Sequence, residues 1–435
     1  MLYKSTRDPV GSRPQPDASL DIDFTRMRAT INGVGASLES IITEGRTGTA
    51  LTPGLGGILR TTPAGVPRFA SNWDGSGRGL LVEGPTTNLI TYSNDLSQSA
   101  WTKSTGCTIT ANNFMAPDAT RTASLVTDTQ SIGSSPGTAS YSCTIPNDSS
   151  PTVVSISICP NSISKLELAL SLYGGTTLVN CNATFDLQQG AVLSMTGTIY
   201  ASIEPEANGF FRLQVAVSNN SSGNTTATLS ISRAGASIAP GTFWAWGAQT
   251  EYAYLSATSH VLTSGATASR IADAPQLAIG SWLNISSGTI YAEADYGAQV
   301  TDESIFTIAD STGFAEGIEF LRAQSTSAFE AFVYHASTGQ ILLQAIGAGY
   351  YPAGSVRGAL SYNTNNFIFA ARTPASDYSG LMNAPLTSAG SAVPTSITNC
   401  YLGWGPTNKP LFGALKRLIF WPKFLLSQEL CDLIA

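Results

Sequence analysis

Val153-Val154-Ser155-Ile156-Ser157-Ile158 is the stretch that decides the fold. Val154, Ile156 and Ile158 fall at every second position, and successive side chains of a strand point to opposite faces. One face of this strand is therefore apolar. The same period recurs at Leu213/Val215/Val217 and at Leu166/Leu168/Leu170/Leu172. Many short alternating strands between Gly, Asn and Ser turns predict an antiparallel β-sandwich or jelly roll. Phe243-Trp244-Ala245-Trp246 reads as a strand with both tryptophans on one face. Together with Trp101, these two rings are assigned to the core of that sandwich.

At 435 residues the chain exceeds one ordinary core, so two or three domains are expected. Charged residues make up 12%, about half of the roughly 25% usual in soluble proteins. Ser, Thr, Ala, Asn and 41 Gly stand in their place, which suits rigid sandwiches and argues against coiled coil or charge-driven disorder. With 17 Phe, 15 Tyr and 7 Trp there is enough apolar bulk for two cores. A net charge of −7 without a basic stripe argues against nucleic-acid binding. No apolar run reaches the length of a membrane span. The start, Met1-Leu2-Tyr3-Lys4, lacks the apolar stretch of a signal peptide and reads as a chain made in a cytoplasm. The cysteines Cys107, Cys143, Cys159, Cys181, Cys400 and Cys431 show no CxxC spacing, which argues against zinc. Four of them lie between 107 and 181 and could pair if a sheet brings them together. Buried free thiols are the expectation for a reducing cytosol.

Five segments follow from these patterns. Residues 1–19, with Pro9, Pro14 and Pro16, read as an extended N-terminal arm, whether for attachment or simply frayed. Residues 20–89 form an N-terminal strand segment that opens with the alternating Leu20-Asp21-Ile22-Asp23-Phe24. Residues 90–257 hold the first sandwich, and the Ser/Thr/Ala/Gly-rich 258–274 reads as a linker. A second sandwich fills 275–435, with alternating strands at Gly288–Tyr296 and Phe306–Ala309. It closes on a strand through Phe420-Trp421 and a short helix, where Ser427 can cap the start and Glu429 favours the first turn.

Ala64-Gly65-Val66-Pro67-Arg68-Phe69, followed by Gly79-Leu80-Leu81-Val82-Glu83-Gly84-Pro85-Thr86-Thr87-Asn88-Leu89, resembles a segment of tailed-bacteriophage fibre, head-spike and decoration proteins. By its residues alone it is a Gly/Pro-punctuated pair of short strands, a connector packed on a β domain. Leu20–Phe24 is similar to where the ordered part of those proteins begins, and Ala268–Asp273 to the end of their linker. The order from Tyr92 through Phe243-Trp244-Ala245-Trp246 resembles jelly-roll carbohydrate-binding modules of the family 4/9 type. The ending from Phe412 to Leu430 resembles concanavalin-like, laminin-G-like lectin folds. The resemblance implies an all-β protein of tandem antiparallel β-sandwiches, a jelly roll followed by a concanavalin-like sandwich, with an extended N-terminal arm. It further implies a virion protein attached to capsid or tail through its N-terminal region, a homo-oligomer such as a trimer, and adhesion to host-surface or environmental glycans.

Three groups of residues are candidates for chemistry. Glu293-x-Asp295 is similar to part of the carboxylate strand of concanavalin-like glycoside hydrolases, but 297 and 298 are Gly and Ala, so the third carboxylate is missing. The pair reads as the outward half of an alternating strand, and no enzymatic activity is expected. His260 and His335 lack a GxSxG partner and read as surface residues. Sugar recognition needs an exposed ring with amide or carboxylate neighbours, and Tyr350, Tyr351 and Trp404 in Gly-rich segments are the candidates. Asn363, Asn365 and Asn366 supply amides by composition alone. No cofactor is expected, although a structural calcium is compatible with such modules. The competing readings are a glycan-degrading depolymerase, a decoration protein without a ligand, and a secreted adhesin.

Overall fold

The computed structural model describes residues 15–311, 313–324, 328–346, 354–372 and 392–434. The opening stretch lies in strand Pro151–Pro160, which pairs antiparallel with Phe211–Ser218 and sets Val154 opposite Val215 and Ile156 opposite Leu213. Two sequence-predicted apolar faces are thus one continuous face. The third, on Lys165–Tyr173, pairs with Thr226–Arg233, Leu168 opposite Ile231 and Leu170 opposite Leu229. Each belongs to a six-stranded sheet, and the two sheets enclose a core in which Val154, Ile156, Ile158 and Leu166 to Leu172 at every second residue are fully buried. Trp101 joins this core, its edge against Tyr141 at 5.3 Å. Trp244 and Trp246 do not. They share a face as expected, but it is the outer one, where Trp246 packs with Leu59, Ala123 and Phe210 and Trp244 stacks on Phe114 at 4.1 Å. Alternation shows which residues share a face, and here Leu59, far off in sequence, turned the outer face into a second buried one.

The second sandwich is assembled from both ends of the chain. Strand Gly413–Trp421 sits inside a nine-stranded sheet with Ser287–Tyr296 on one side and Leu20–Asp23 on the other. Leu20 lies opposite Phe420 and Asp23 opposite Arg417. Hairpin Arg68–Ser71/Gly77–Val82 also docks on this strand, Leu81 opposite Ala414. Gly79 makes that approach feasible: its φ is +129°, and a Cβ there would lie 2.4 Å from the Leu415 carbonyl oxygen. The facing seven-stranded sheet takes Ile42–Glu44 from the N-terminal segment beside Pro275–Ala278. One core runs through Leu20, Ile22, Phe24, Leu80 and Val82 into Ile290, Phe306, Phe320 and Phe420. Helix Ser427–Ile434 covers the back of the nine-stranded sheet with Leu430 and Ile434, and the Glu429 carboxylate accepts the Leu426 amide at 2.7 Å.

The acidic positions of the opening strand are buried like its apolar ones. Asp21 accepts three bonds from the Arg417 guanidinium, at 3.0, 3.1 and 3.2 Å, and Asp23 lies 3.8 Å from the same group. Two short strands join the sandwiches, Thr86–Asn88 running antiparallel to Ala268–Arg270. The intervening residues 258–263, expected as linker, are packed rather than loose: Thr258, His260, Val261 and Thr263 are all buried. All six cysteines are unpaired, and Cys107, Cys159, Cys181 and Cys400 are buried.

Candidate functional site

The segment singled out in the sequence turns out to be a buried hub. Arg68 gives Nε to Asp273 at 3.0 Å and Nη2 to Glu83 at 2.5 Å, and Arg46 gives Nε to Asp273 at 3.0 Å. Arg270 closes the group, 3.0 Å from Glu83. All of these side chains are nearly inaccessible. Burial pushes the Glu83 carboxyl up, but Arg270 and Arg68 outweigh it and hold the group well below its usual range. A few residues on, Asn88 satisfies four backbone groups. Its Nδ2 donates to the Ala248 and Val261 carbonyls, and its Oδ1 accepts from the Ile90 and Thr250 amides. Thr86 and Thr258 both donate to Glu251 at 2.7 Å. These groups hold strands of both sandwiches and the joining segment in fixed relation.

Beside the hub, a cleft of about 620 Å³ opens between the sandwiches. Its walls come from separate stretches of the chain: Pro53, Gly57 and Leu59, the turn after Ser71 with the strand that follows it, the edge strand Tyr200–Pro205 and its neighbour at Arg212 and Gln214, the segment Ser256–His260, Asp295–Gly297, and Phe412 with Gly413. Trp73 stands at the rim and is 57% exposed. It is carried by a tight turn in which Asn72 donates its amide to Ser76 at 2.8 Å and Asp74 accepts the Ser76 amide at 2.9 Å. A large apolar ring held out by a braced turn is not explained by packing.

Most polar groups in the walls already have partners. Arg212 donates to Ser155 Oγ at 2.9 Å and to the Thr258 carbonyl at 2.7 Å. Gln214 donates to Ser202 at 2.5 Å and accepts the Ala257 amide at 2.7 Å. At the floor, Glu206 accepts from Ser157 at 2.5 Å and meets His260 Nε2 at 2.8 Å, with the Trp246 and His260 rings edge-to-face, their centres 5.1 Å apart. His260 is therefore not a surface residue. Burial and the neighbouring Arg212 depress its pKa against the pull of Glu206, so the ring is neutral near pH 7. The arrangement is not an acyl-transfer relay, because one nitrogen, Nε2, faces both the serine and the carboxylate, and Ser157 is fully buried. Tyr200 adds a phenol whose pKa is raised by burial and by Glu204 against the opposing effect of Arg78.

The other predicted positions lie apart from this cleft, with one exception. Tyr350 and Tyr351 lie outside the described residues. Trp404 is half-buried beside the seven-stranded sheet, its Nε1 donating to the Pro275 carbonyl at 2.8 Å and its ring edge-to-face with Tyr401, the centres 4.7 Å apart. Asn363 and Asn366 flank a hairpin turn of the other sheet, with Asn365 at φ 61°, so the structure does not bring them to Trp404. Glu293 lies 3.4 Å from Arg357 and Asp295 2.8 Å from Lys416. Asp295 is the exception, since it also reaches the cleft wall. His335 ends strand Ala328–His335, 3.0 Å from Glu316. Among the described residues no group of three or more His, Cys, Asp or Glu is arranged to hold a metal. Trp73 escaped notice although a signal existed: in Asn72-Trp73-Asp74-Gly75 an aromatic sits in an Asp-Gly turn, where no core is within reach.

No family model matches the chain, and no curated protein does. Among solved structures it is similar to the Ruminococcus gnavus IT-sialidase CBM40 bound to α2,6-sialyllactose, at 14% identity and a TM-score of 0.28. The match covers 35% of this chain and 84% of that one. The same module bound to α2,3-sialyllactose matches at 13% identity, with the same coverage of 35% and 84% and a TM-score of 0.28. A likeness of that degree carries no ligand across.

Proposed function

We propose that this chain is a non-enzymatic virion protein of a tailed phage that binds glycans, with the cleft beneath Trp73 as its ligand site. The observation that carries the glycan reading is the braced, exposed indole at the rim of a 620 Å³ cleft with polar walls. A sugar ring has an apolar face that stacks on an aromatic and an equatorial rim of hydroxyls that need hydrogen bonds. Trp73 and the polar walls supply both. The half-buried Tyr401–Trp404 pair is a second, lesser aromatic surface. Glu293 and Asp295, each beside a cation, favour binding over cleavage. The virion reading is supported by the resemblance of Ala64–Phe69 and Gly79–Leu89 to phage segments. On it, the N-terminal region meets other virion proteins, and a homo-oligomer multiplies weak single sites into adhesion.

Two experiments test the parts separately. Trp73→Ala removes the platform, and losing about 1–2 kcal/mol of apolar contact should weaken glycan binding about five- to thirtyfold on a glycan array. Unchanged binding would remove the cleft from consideration. Gold-labelled antibody on purified phage particles tests the virion assignment, and unlabelled particles would overturn it.

A further inference from the structure

Away from the cleft, the second sandwich buries a carboxylate on the outer face of its seven-stranded sheet. Thr307 lies opposite Glu319 there. Each is flanked by core residues, Phe306 and Ile308 on one strand and Ile318 and Phe320 on the other, so both point outward. Even so, Thr307 is fully buried and Glu319 is 3% exposed. The cover is the loop 403–411. It is closed by the Leu411 amide on the Gly403 carbonyl at 2.8 Å, and fastened to the sheet by the Ser304 amide on the Lys409 carbonyl at 2.8 Å.

Beneath that loop three side-chain oxygens converge. A Cβ built on Gly405 would stand 2.9 Å from Thr307 Oγ1 and 3.5 Å from both Glu319 Oε1 and Ser304 Oγ. Ser304 Oγ lies 2.8 Å from Thr307 Oγ1 and donates to the Trp404 carbonyl at 3.3 Å. Glu319 Oε1, by contrast, has no hydrogen-bond partner among the described residues. Charged groups of the adjoining strands and loop are engaged elsewhere: Lys409 with Asp302 at 3.1 Å, Arg322 with Glu303, and Glu330 with Gln344 at 2.6 Å.

We propose that Glu319, Ser304, Thr307 and the Trp404 carbonyl bind a small monovalent cation, sodium, which seats the loop 403–411 on the sheet. A buried carboxylate oxygen without a donor calls for a positive charge, and hard cations take oxygen ligands. The glycine leaves the space between its Cα and the three oxygens open to one. A single carboxylate among neutral oxygens balances one positive charge rather than two. Burial pushes the Glu319 carboxyl up to about 7, against the weaker effects of Ser304 and Lys409, so a proton competes for the same oxygen below neutrality.

The test uses the intact chain at pH 8, desalted into choline chloride, with sodium chloride or calcium chloride added at constant ionic strength. Sodium is expected to raise the melting temperature by about 2–4 °C and to broaden the sodium NMR line. Glu319→Gln should melt above the wild type in choline, and sodium should narrow that gap by stabilising the wild type alone. Thr307→Val keeps the shape of the side chain and should weaken the sodium response about tenfold. A wild type that melts alike in choline and sodium, or a sodium response that survives intact in both variants, would overturn the site. A response to calcium with none to sodium would overturn the monovalent assignment.

Discussion

Replacing Asp273 by Asn changes one atom at the hub and removes the charge that three guanidinium groups share. In the wild type, Asp273 accepts Nε of Arg46 at 3.0 Å, two donors of Arg68 and the Glu83 amide at 2.9 Å, with Arg270 at 3.5 Å. The substitution would leave Arg46, Arg68 and Arg270 buried with Glu83 as their remaining hub carboxylate, and it would point an amide donor at cations. Removing one partner of a buried pair costs about 3–5 kcal/mol, because the other charge stays desolvated. The upper half of that range applies here, since Asp273 serves more than one cation. Urea unfolding at neutral pH, followed by tryptophan fluorescence, would show a lower midpoint at unchanged slope. Side chains this deeply buried are little screened, so the loss should persist in high salt. Acid should act in the same sense. The folded-state pKa of Glu83 lies below its unfolded value of about 4.5, so its contribution is full above that pH and lost as pH falls through the lower folded value. A destabilisation by Asp273→Asn below about 1 kcal/mol, or one abolished by salt, would refute the hub as a structural lock.

Other outcomes follow from single groups. Glu319 is buried, and burial pushes its carboxyl up to about 7, against the weaker effects of Ser304 and Lys409. The folded state thus holds this proton longer than the unfolded one, and stability falls as pH rises from about 4.5 to about 7. Glu319→Gln should remove that fall and gain on the order of 3 kcal/mol above neutrality, with no gain below pH 4; pH-dependent unfolding curves that coincide would contradict it. Asn88→Ala strips partners from four buried backbone groups and should cost on the order of 3 kcal/mol or more, read as an earlier thermal transition. Burial raises the thiols of Cys107, Cys159 and Cys181 to about 11, so a thiol reagent should label Cys431 first and these three only on unfolding. Rapid labelling of Cys181 in the native protein would count against the packing described.

The sandwich architecture was legible because burial on one face writes a period of two into the sequence, as at Val154, Ile156 and Ile158. What local pattern does not carry is the identity of a distant partner. Leu20 pairs with Phe420 four hundred positions away, and nothing near Leu20 announces it. The same blindness explains the individual departures. Asp21 and Asp23 read as the polar half of an alternating strand until Arg417 is seen to cover them. His260 reads as surface until Glu206 and Ser157 close over it. Trp246 reads as core of the first sandwich until Leu59 supplies a separate pocket on the outer face. The cleft itself was beyond reach for the same reason: its walls meet only when stretches from Pro53 to Gly413 are folded together, although Trp73 in its turn was an available hint.

The pairing of Thr86–Asn88 with Ala268–Arg270 has a consequence for how such a chain can change. The first sandwich leaves and rejoins the rest of the molecule through two adjacent antiparallel strands, so it is an insertion within a second sandwich built from both chain ends. Its two attachment points are neighbours, and the body around them is closed by the pairing of Leu20–Asp23 with Arg417–Phe420. A different head could be seated on that stem, or the stem closed by a short turn, without altering the frame's own strand order. Synthesis would follow the same nesting: the inserted head can fold while the frame still waits for its last strand to leave the ribosome.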